Sequence, residues 1–411
     1  MQPPRGTAPS TPVAETPWGD RLRQIRWTLR RWSLRHMVYR LRLPIRRRRW
    51  SRERETLCRP FRKSDVARRT SGPALVFGEF SGTHGLGRAA AYDVELLRGR
   101  HDEIVQIDIG PYLAGAAPNP LRLGRSFANV YFFCQPDTYG TVCRLIDPRD
   151  VADAWRVGRW VWETPLFPDA WRFAEHLVHE VWTPSEFCAR TFRADLKIPV
   201  QVVPHAVTPP RHDTGIDMRA RLGVARDAFM GLAIMDIRSC PERKNPWAHV
   251  RAWKAAFGDD PACVLVMKLR VGRHTAMVLS ELRELVGTSK NVVITAQDMS
   301  SDEIAALHHA ADVFVSLHRA EGFGLNILES LLIEKDVVAT HWSANAEYGP
   351  DFVHYRPVPV RLVAKRDWSG HYSYQNFAWS DPDLSTAAAH LRMVRQAARH
   401  PSPLAQRNVA A

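Results

Sequence analysis

Two glutamates and two glycines lie close together near residue 325, and their chemistry suits a nucleotide-linked sugar. Glu321 comes directly before Gly322-Phe323-Gly324, and Glu329 follows after seven intervening residues. A carboxylate accepts hydrogen bonds from neighbouring sugar hydroxyls, and glycine lets the backbone come close to a ligand. One glutamate on each side of a diphosphate would hold a sugar at one end and a ribose at the other.

The segments around this turn predict how the four residues are held. The apolar run 312–317 predicts a short buried strand, leucines recur at helical spacing after Leu325, and 336–340 predicts a second strand. The unpaired N–H groups and positive dipole end of a helix attract phosphate. Without the two glutamates, an ordinary strand–turn–helix unit would explain the glycines equally well.

Two adjacent cations follow another predicted strand. Arg243 and Lys244 lie between the apolar run 229–237 and a helix predicted at 247–257. A planar guanidinium and a compact ammonium both suit a diphosphate, and ligands of open α/β sheets bind beyond the carboxyl ends of strands. Lys268, in the strand predicted at 264–269, is a third candidate for the same ligand. A solvated turn is the alternative for the cation pair.

A glycine loop ends at Gly85-Leu86-Gly87, between a strand predicted at 74–77 and a helix from residue 89. The G-x-G-x-x-G spacing of a dinucleotide site is absent. Both a tight βα turn and a loop facing a ligand cleft fit this pattern.

Glu163 lies in a tryptophan-rich stretch, directly after Trp162. Most of these tryptophans are expected in the core. Two roles for Glu163 remain open: a contact to the sugar or acceptor, and a structural ion pair.

The string from Glu321 to Glu329 resembles the Glu-x7-Glu signature of family 4 glycosyltransferases, which have the GT-B fold. The resemblance covers roughly residues 74–395. It implies that Glu321 contacts the donor sugar, that Glu329 contacts the nucleotide ribose, and that the backbone after Gly322 faces the diphosphate. The segment 239–246 resembles the phosphate-contacting segment of the family, in which Lys244 matches well and Arg243 more loosely.

Two further segments extend the resemblance. The loop ending at Gly85–Gly87 is similar to the first glycine loop of GT-B enzymes, which faces the cleft between domains. Residues 157–188 resemble a subgroup that makes bacterial polysaccharides and surface glycans. Many relatives place a histidine here to contact the donor sugar, whereas this chain has Glu163.

Composition limits the other possibilities. The 411 residues suffice for two α/β domains, and the six cysteines show neither a metal-ligand spacing nor a dense disulfide framework. No apolar run reaches the ~18 residues of a transmembrane helix, and no secretory signal is recognised. The expected location is the cytoplasm, at the inner face of the membrane.

The positive charge is concentrated in an N-terminal arm. Residues 1–70 hold 20 Arg and Lys against 5 Asp and Glu, whereas the whole chain has a net charge of +14. Residues 18–43 predict a basic amphipathic helix that Pro44 ends, and Arg46 to Arg49 follow it. Such helices lie on anionic membranes, so residues 18–50 are expected to contact an anionic membrane surface. A solvated or partner-docked helix is an alternative. A nucleic-acid arm is less favoured, because the body has no basic recognition element.

The resemblance implies an α/β protein of the GT-B type, with two facing Rossmann-like domains. We expect a basic arm at 1–70, an acceptor-side domain at 71–207, a nucleotide-sugar domain at 208–375, and a terminal helix and tail at 376–411. The terminal helix is expected to cross back to the first domain.

The resemblance implies a retaining transferase that moves a hexosyl group, such as mannosyl or glucosyl, from a nucleotide sugar to a glycan or lipid-linked glycan. It implies no metal and no cofactor besides the donor. The alternative is a non-catalytic GT-B scaffold that its arm recruits to membranes.

Overall fold

Two six-stranded parallel sheets form the body of the protein. The computed structural model describes residues 34–69, 71–272, 275–367, 370, 372 and 375–399. Its two domains each place helices against a parallel sheet, so the predicted architecture of two Rossmann-like α/β domains is confirmed.

The first sheet has the strand order β2-β1-β3-β4-β5-β6. Strand β1, which lies between β2 and β3, is buried along its whole length, as expected for a parallel strand covered on both faces. The strands are β1 Ala74–Gly78, β2 Ile104–Asp108, β3 Asn129–Phe133, β4 Trp155–Arg159, β5 Glu180–Thr183 and β6 Val200–Val202.

The second sheet has the order β12-β11-β10-β7-β8-β9. The strands are all parallel, but from β7 the chain adds strands first towards one edge of the sheet and from β10 towards the other. Such a switch point opens a crevice at the carboxyl ends of the strands. The strands are β7 Phe229–Asp236, β8 Cys263–Arg270, β9 Val292–Thr295, β10 Val313–Ser316, β11 Asp336–Thr340 and β12 Tyr355–Val358; a hairpin of β13 Val360–Ala364 and β14 Ala378–Pro382 follows.

The helices connect these strands and cover both sheets. Several begin at side-chain caps, among them a reciprocal Ser300–Glu303 capping box. They are α1 Leu34–Cys58, α2 Gly85–Glu95, α3 Gly110–Leu113, α4 Tyr139–Leu145, α5 Glu186–Arg193, α6 Met218–Arg221, α7 Pro241–Lys244, α8 Pro246–Phe257, α9 Ala276–Val286, α10 Ser301–Ala310, α11 Leu325–Leu332, α12 Ala344–Tyr348 and α13 Leu384–Arg399.

The arm helix α1 runs through Pro44, so the prediction that Pro44 ends it is wrong. Proline weakens a helix by removing one backbone donor, but tertiary packing holds the far end of α1. Cys58 lies in the core of the first domain, and Arg54 Nη1 donates to Asp137 Oδ1 at 2.8 Å. Residues 18–33, where the predicted helix begins, lie outside the described residues.

The last helix α13 packs on the second domain, so the predicted crossing by this helix is wrong. Leu391 and Val394 lie in one core cluster with Trp253 of α8. Arg395 Nη2 also lies 2.8 Å from Asp260 Oδ2, in the loop after α8. The apolar side of α13 therefore packs against aromatic side chains of the second domain.

The crossing is made by the segment before α13. Tyr372 and Trp379 lie in the core cluster of the first domain, and Gln375 Nε2 donates to Leu166 O at 2.6 Å. The chain therefore touches the first domain and then returns to the second.

Candidate active site

Hydrogen bonds to main-chain carbonyl oxygens join the region after β10 to the helix α7 and the residue that follows it. Arg319 N donates to Arg243 O at 2.7 Å, and Asn245 Nδ2 donates to Leu317 O at 3.0 Å. The carboxyl ends of β7 and β10 are neighbours at the switch point. This arrangement brings the predicted cations and the predicted glutamate together.

His249 fixes the turn between α7 and α8. Its Nε2 accepts from Leu317 N at 3.0 Å, so its Nδ1 carries the proton and donates to Asn245 O at 3.0 Å. Burial lowers the pKa of His249 to about 4, which keeps the ring neutral. Asn245 itself has a φ of 52°, in the left-handed region, and this conformation ends α7 directly after Lys244.

Glu321 is ionised and held by two cations. Lys244 Nζ contacts its Oε2 directly, and Arg243 Nη1 lies 3.8 Å from the same oxygen. Burial opposes ionisation of Glu321, but Lys244 and Arg243 outweigh it and bring the pKa to about 2. Burial and Arg243 lower the pKa of Lys244.

Glu163 joins this cluster from the first domain. Its Oε1 lies 3.4 Å from Arg243 Nε and accepts a hydrogen bond from the Tyr372 hydroxyl. Burial opposes ionisation of Arg243, but the Glu163 carboxylate outweighs it and raises the pKa of Arg243. Glu163 thus makes the ion pair that the sequence left open, beside the predicted sugar site. Tyr372 carried no sequence signal.

His318 also lies against the cluster of Arg243, Lys244 and Glu321, although nothing in the sequence indicated a role for this histidine. Its Nδ1 lies 3.0 Å from Ser316 Oγ, and its buried Nε2 has no hydrogen-bond partner among the described residues. Burial lowers the pKa of His318 to about 4, although the nearby Glu321 carboxylate acts in the opposite direction. The ring is therefore neutral at pH 7.

Glu329 is buried between the domains, and its main partners come from α2. Its Oε1 accepts from Tyr92 Oη at 2.8 Å and contacts Arg88 Nη2 directly. Arg88 Nη1 also donates to Asn326 Oδ1 at 3.0 Å. The sequence did not indicate Arg88 and Tyr92 as partners, because 237 residues or more separate each of them from the residue that it contacts.

The other oxygen of Glu329 faces a second acceptor. His308 Nδ1 lies 2.9 Å from Ser330 Oγ, whose own proton goes to Asn326 O at 2.9 Å, so the His308 proton is on Nδ1. Its bare Nε2 lies 3.7 Å from Glu329 Oε2. Neither atom has a hydrogen-bond partner among the described residues, and an inserted hydroxyl group could donate to either of them.

The two glycines of the turn are required by close approaches. A Cβ at Gly322 would lie 2.5 Å from Val161 Cγ1 of the first domain. Gly324 has a φ of 90° and lies directly before α11 as its N-cap. Tyr348 Oη lies 3.0 Å from Phe323 O and 3.1 Å from Gly324 O. Larger residues would separate the domains at Gly322 and strain the turn at Gly324.

Phe323 is a packing residue here. Its ring meets the edge of His205 at 4.8 Å between centroids. His205 Nδ1 lies 2.8 Å from Asp93 Oδ2, and Arg159 Nε donates to that carboxylate at 2.7 Å. A buried polar triad of the first domain thus supports the turn from behind.

The other residues predicted from the sequence lie on α2, α11 and β8. Gly85, Leu86 and Gly87 form the first turn of α2, the helix that carries Arg88. Leu325 begins α11 and is half-buried. Lys268 lies near the carboxyl end of β8; burial lowers its pKa, and Asp298 acts against that. Within the described residues, no hydrogen bond or ion pair joins Lys268 to Glu321.

A carboxylate from the second domain caps a helix of the first. Glu347 Oε2 accepts from Glu186 N at 2.9 Å, and its Oε1 accepts from Phe187 N at 2.6 Å. These are free N–H groups at the start of α5, where a negative charge is favourable.

The described residues contain no group of three or more His, Cys, Asp and Glu side chains placed to hold a metal ion. In the same ranges, no helix combines the length and apolar character of a membrane span.

Residues 244–354 match the family described as Glycosyl transferases group 1. This range contains Lys244, Lys268 and the whole turn from Glu321 to Glu329. A comparison with curated proteins finds no match.

Solved structures with the same fold share little sequence. A glycosyltransferase from Rickettsia africae is 13% identical, with a TM-score of 0.53 over 81% of this chain and 89% of that one. Anabaena HepE in complex with UDP-glucose is 16% identical, with a TM-score of 0.51 over 67% and 82%. At these identities the likeness shows the fold.

A third structure is longer than this chain. TarM from S. aureus, in complex with fondaparinux, alpha-GlcNAc-glycerol and UDP, is 10% identical with a TM-score of 0.45. The match covers 65% of this chain and 48% of TarM, so this chain spans about half of that protein.

Proposed function

We propose that this chain is a glycosyltransferase, because residues 244–354 match the family described as Glycosyl transferases group 1 and the body has the GT-B fold. In this proposal it moves a hexosyl group, such as mannosyl or glucosyl, from a nucleotide sugar to a glycan or lipid-linked glycan, with retention of configuration. The convergence of Arg243, Lys244 and Glu321 at the switch point of the second sheet carries this proposal.

Lys244 and Arg243 bind the donor diphosphate. In the structure, Lys244 is paired with Glu321, and a diphosphate would take over the ammonium group and leave the carboxylate for sugar hydroxyls. The two cations and the free N–H groups of α11 then stabilise the charge that develops on the departing diphosphate. The leaving phosphate takes the acceptor proton on the same face of the sugar.

Glu329 and His308 bind the ribose. Their two buried acceptor atoms lie 3.7 Å apart without hydrogen-bond partners among the described residues, and neighbouring ribose hydroxyls supply donors for both. Arg88 and Tyr92 hold the other carboxylate oxygen, so the ribose and α2 share the Glu329 side chain.

The transfer is metal-independent in this proposal. Two fixed cations, Arg243 and Lys244, supply the positive charge that a divalent ion would otherwise bring to the diphosphate. A nucleotide-sugar panel with and without EDTA tests this point.

The acceptor binds on the side of the first domain, and α1 attaches the protein to the inner face of an anionic membrane. Ile45 and Trp50 are 71% and 41% exposed on this helix, beside exposed Arg46 and Arg49. Apolar and cationic side chains on one helix suit a charged lipid surface. We propose a lipid-linked glycan as the acceptor class for this reason.

The donor experiment measures binding and slow hydrolysis of UDP- and GDP-sugars, with EDTA present. We expect wild type to bind and hydrolyse one donor, Lys244→Ala to lose both, and the exposed Lys290→Ala to keep both. If wild type binds no donor, the non-catalytic scaffold is favoured. If EDTA abolishes turnover but the donor still binds, metal independence is wrong.

A separate experiment tests the membrane. We expect wild type to sediment with phosphatidylglycerol vesicles, and the double variant I45E/W50E to stay in solution. The control Met393→Glu changes an exposed apolar residue of α13 and should sediment like wild type. Equal sedimentation of all three proteins would contradict attachment through α1.

A further inference from the structure

A cavity of about 720 Å³ lies at the amino ends of the first sheet. Arg68, Arg69 and Arg100 line it, together with His101 and Tyr131. The predicted donor residues lie beyond the carboxyl ends of strands, whereas this cavity lies at the opposite edge of the first sheet. Neither the donor nor the acceptor proposal uses these residues.

The chain after α1 delivers two of these arginines along a fixed path. Lys63 N donates to His176 O at 2.9 Å, Ser64 Oγ donates to Ala152 O at 2.6 Å, and Asn129 Nδ2 donates to Arg69 O at 3.0 Å. These contacts lie just before β5, before β4 and at the start of β3. Arg68 and Arg69 therefore belong to a segment pinned along the sheet edge.

The floor of the cavity is polar and well ordered by hydrogen bonds. His101 Nδ1 donates to Gly72 O at 3.1 Å, so its Nε2 accepts from the buried Tyr131 hydroxyl at 2.8 Å. The Tyr131 side chain also packs against Trp182 at 5.5 Å between centroids. These contacts hold His101 and Tyr131 in place at the floor of the cavity.

The charge of the cavity is positive after its carboxylates are counted. Arg68 Nη2 lies 3.7 Å from the buried Glu180, and exposed Asp102 also lines the opening. Within the described residues, no ion pair joins Arg69 or Arg100 to a carboxylate. Two guanidinium groups at an open cavity with a third nearby suit a doubly charged oxyanion, which they can bind through paired N–H groups.

We propose that the cavity beside Arg69 and Arg100 binds a phosphate group. The phosphate comes either from the headgroup of an anionic phospholipid or from a soluble phosphate compound. Because α1 leads directly into this segment, a headgroup held here would fix how the first domain faces the lipid surface.

The test uses the full-length protein and calorimetric titration with inorganic pyrophosphate. Wild type should show two classes of sites, one in this cavity and one at Lys244. The double variant R69A/R100A should weaken the first class by about tenfold or more, the loss expected for charged hydrogen bonds. Lys244→Ala should affect the other class. The control R122A/R144A removes two exposed arginines of the same domain and should change binding by less than about twofold.

The two sources of phosphate are separated by further titrations. Competition by short-chain phosphatidylglycerol, together with weaker sedimentation of R69A/R100A with phosphatidylglycerol vesicles, would support the headgroup. Binding of pyrophosphate without such competition would support a soluble compound. A wild-type protein without the first class of sites, or equal losses in R69A/R100A and R122A/R144A, would overturn the proposal.

Discussion

The two glutamates of the turn differ in where their partners come from. Glu321 is paired with Lys244, a residue of its own domain. Glu329 is paired with Arg88 and Tyr92, both on α2 of the other domain. The turn before α11 therefore carries a binding group with a partner in its own domain, and α11 itself carries one that depends on the distance between domains.

This difference separates two tasks of a nucleotide-sugar site. Lys244 belongs to the same domain as Glu321 and stays beside it when the domains move, although Arg243 is also paired with Glu163 of the first domain; the Lys244 part of the diphosphate end is therefore preorganised. The ribose end at Glu329 changes whenever α2 moves. Opening and closing of the cleft should thus change donor affinity mainly through Glu329.

The largest expected effect distinguishes the two glutamates directly. Glu321→Gln should lower kcat on the order of a thousandfold, the size seen when one preorganised electrostatic group is lost. Glu329→Gln should mainly raise KM for the donor, by about tenfold. Steady-state kinetics on both variants measure this, with circular dichroism to confirm folding. Equal losses of kcat would contradict the division of tasks.

The pH dependence of stability isolates the ion pairs of Glu321. Its folded pKa of about 2 lies below the unfolded value of about 4.3. Its contribution is therefore fully present above that unfolded value and is lost as the pH falls towards 2. At about 1.4 kcal/mol per pKa unit, the contribution is on the order of 3 kcal/mol.

Denaturant unfolding of wild type and Glu321→Gln between pH 2 and pH 6 measures this contribution. The difference in unfolding free energy should be largest near pH 6 and should vanish towards pH 2. A difference that stays constant over this range would mean that Glu321 has the same pKa in the folded and the unfolded protein.

A smaller effect is expected from breaking the contact between domains. Arg88→Gln should tighten donor binding by about fivefold, because the ribose hydroxyls no longer share the Glu329 carboxylate with the arginine charge. Calorimetric titration with the donor measures it. Weaker binding would show instead that Arg88 contacts the donor.

The smallest effect concerns the hydroxyl of Tyr92. Tyr92→Phe removes one hydrogen bond to Glu329 and should lower the unfolding free energy by about 1 kcal/mol. Donor affinity should rise by about twofold at most, since Arg88 remains in place. A loss of donor binding in this variant would place Tyr92 in the donor site.

The strands of the second domain were predictable because buried parallel strands are nearly continuous apolar runs. The runs 229–237, 264–269 and 336–340 correspond to the observed Phe229–Asp236, Cys263–Arg270 and Asp336–Thr340. The sequence placed Lys244 and Glu321 each after a strand, but their pairing depends on β7 and β10 being neighbours in the sheet. The proposed domain limits at 207 and 375 and the Glu-x7-Glu subgroup stay predictions.

Contacts between domains were not predictable in the same way. The partners of Glu329 and the hydroxyl of Tyr372 depend on how two separate sheets face each other, which neither hydrophobic period nor turn chemistry encodes. The apolar stripe of α13 likewise predicted that this helix packs, but not on which domain. Pro44 shows a third limit, since packing of the distant Cys58 holds a helix that local preference would end.

Glu347 gives the cleft a built-in reporter. Its carboxylate occupies the first two amides of α5, at Glu186 and Phe187, so widening of the cleft must uncap that helix. Hydrogen–deuterium exchange at these two amides would then report the opening of the cleft between the domains. A change in exchange when the donor binds would reveal the direction of domain movement without any label at the active site.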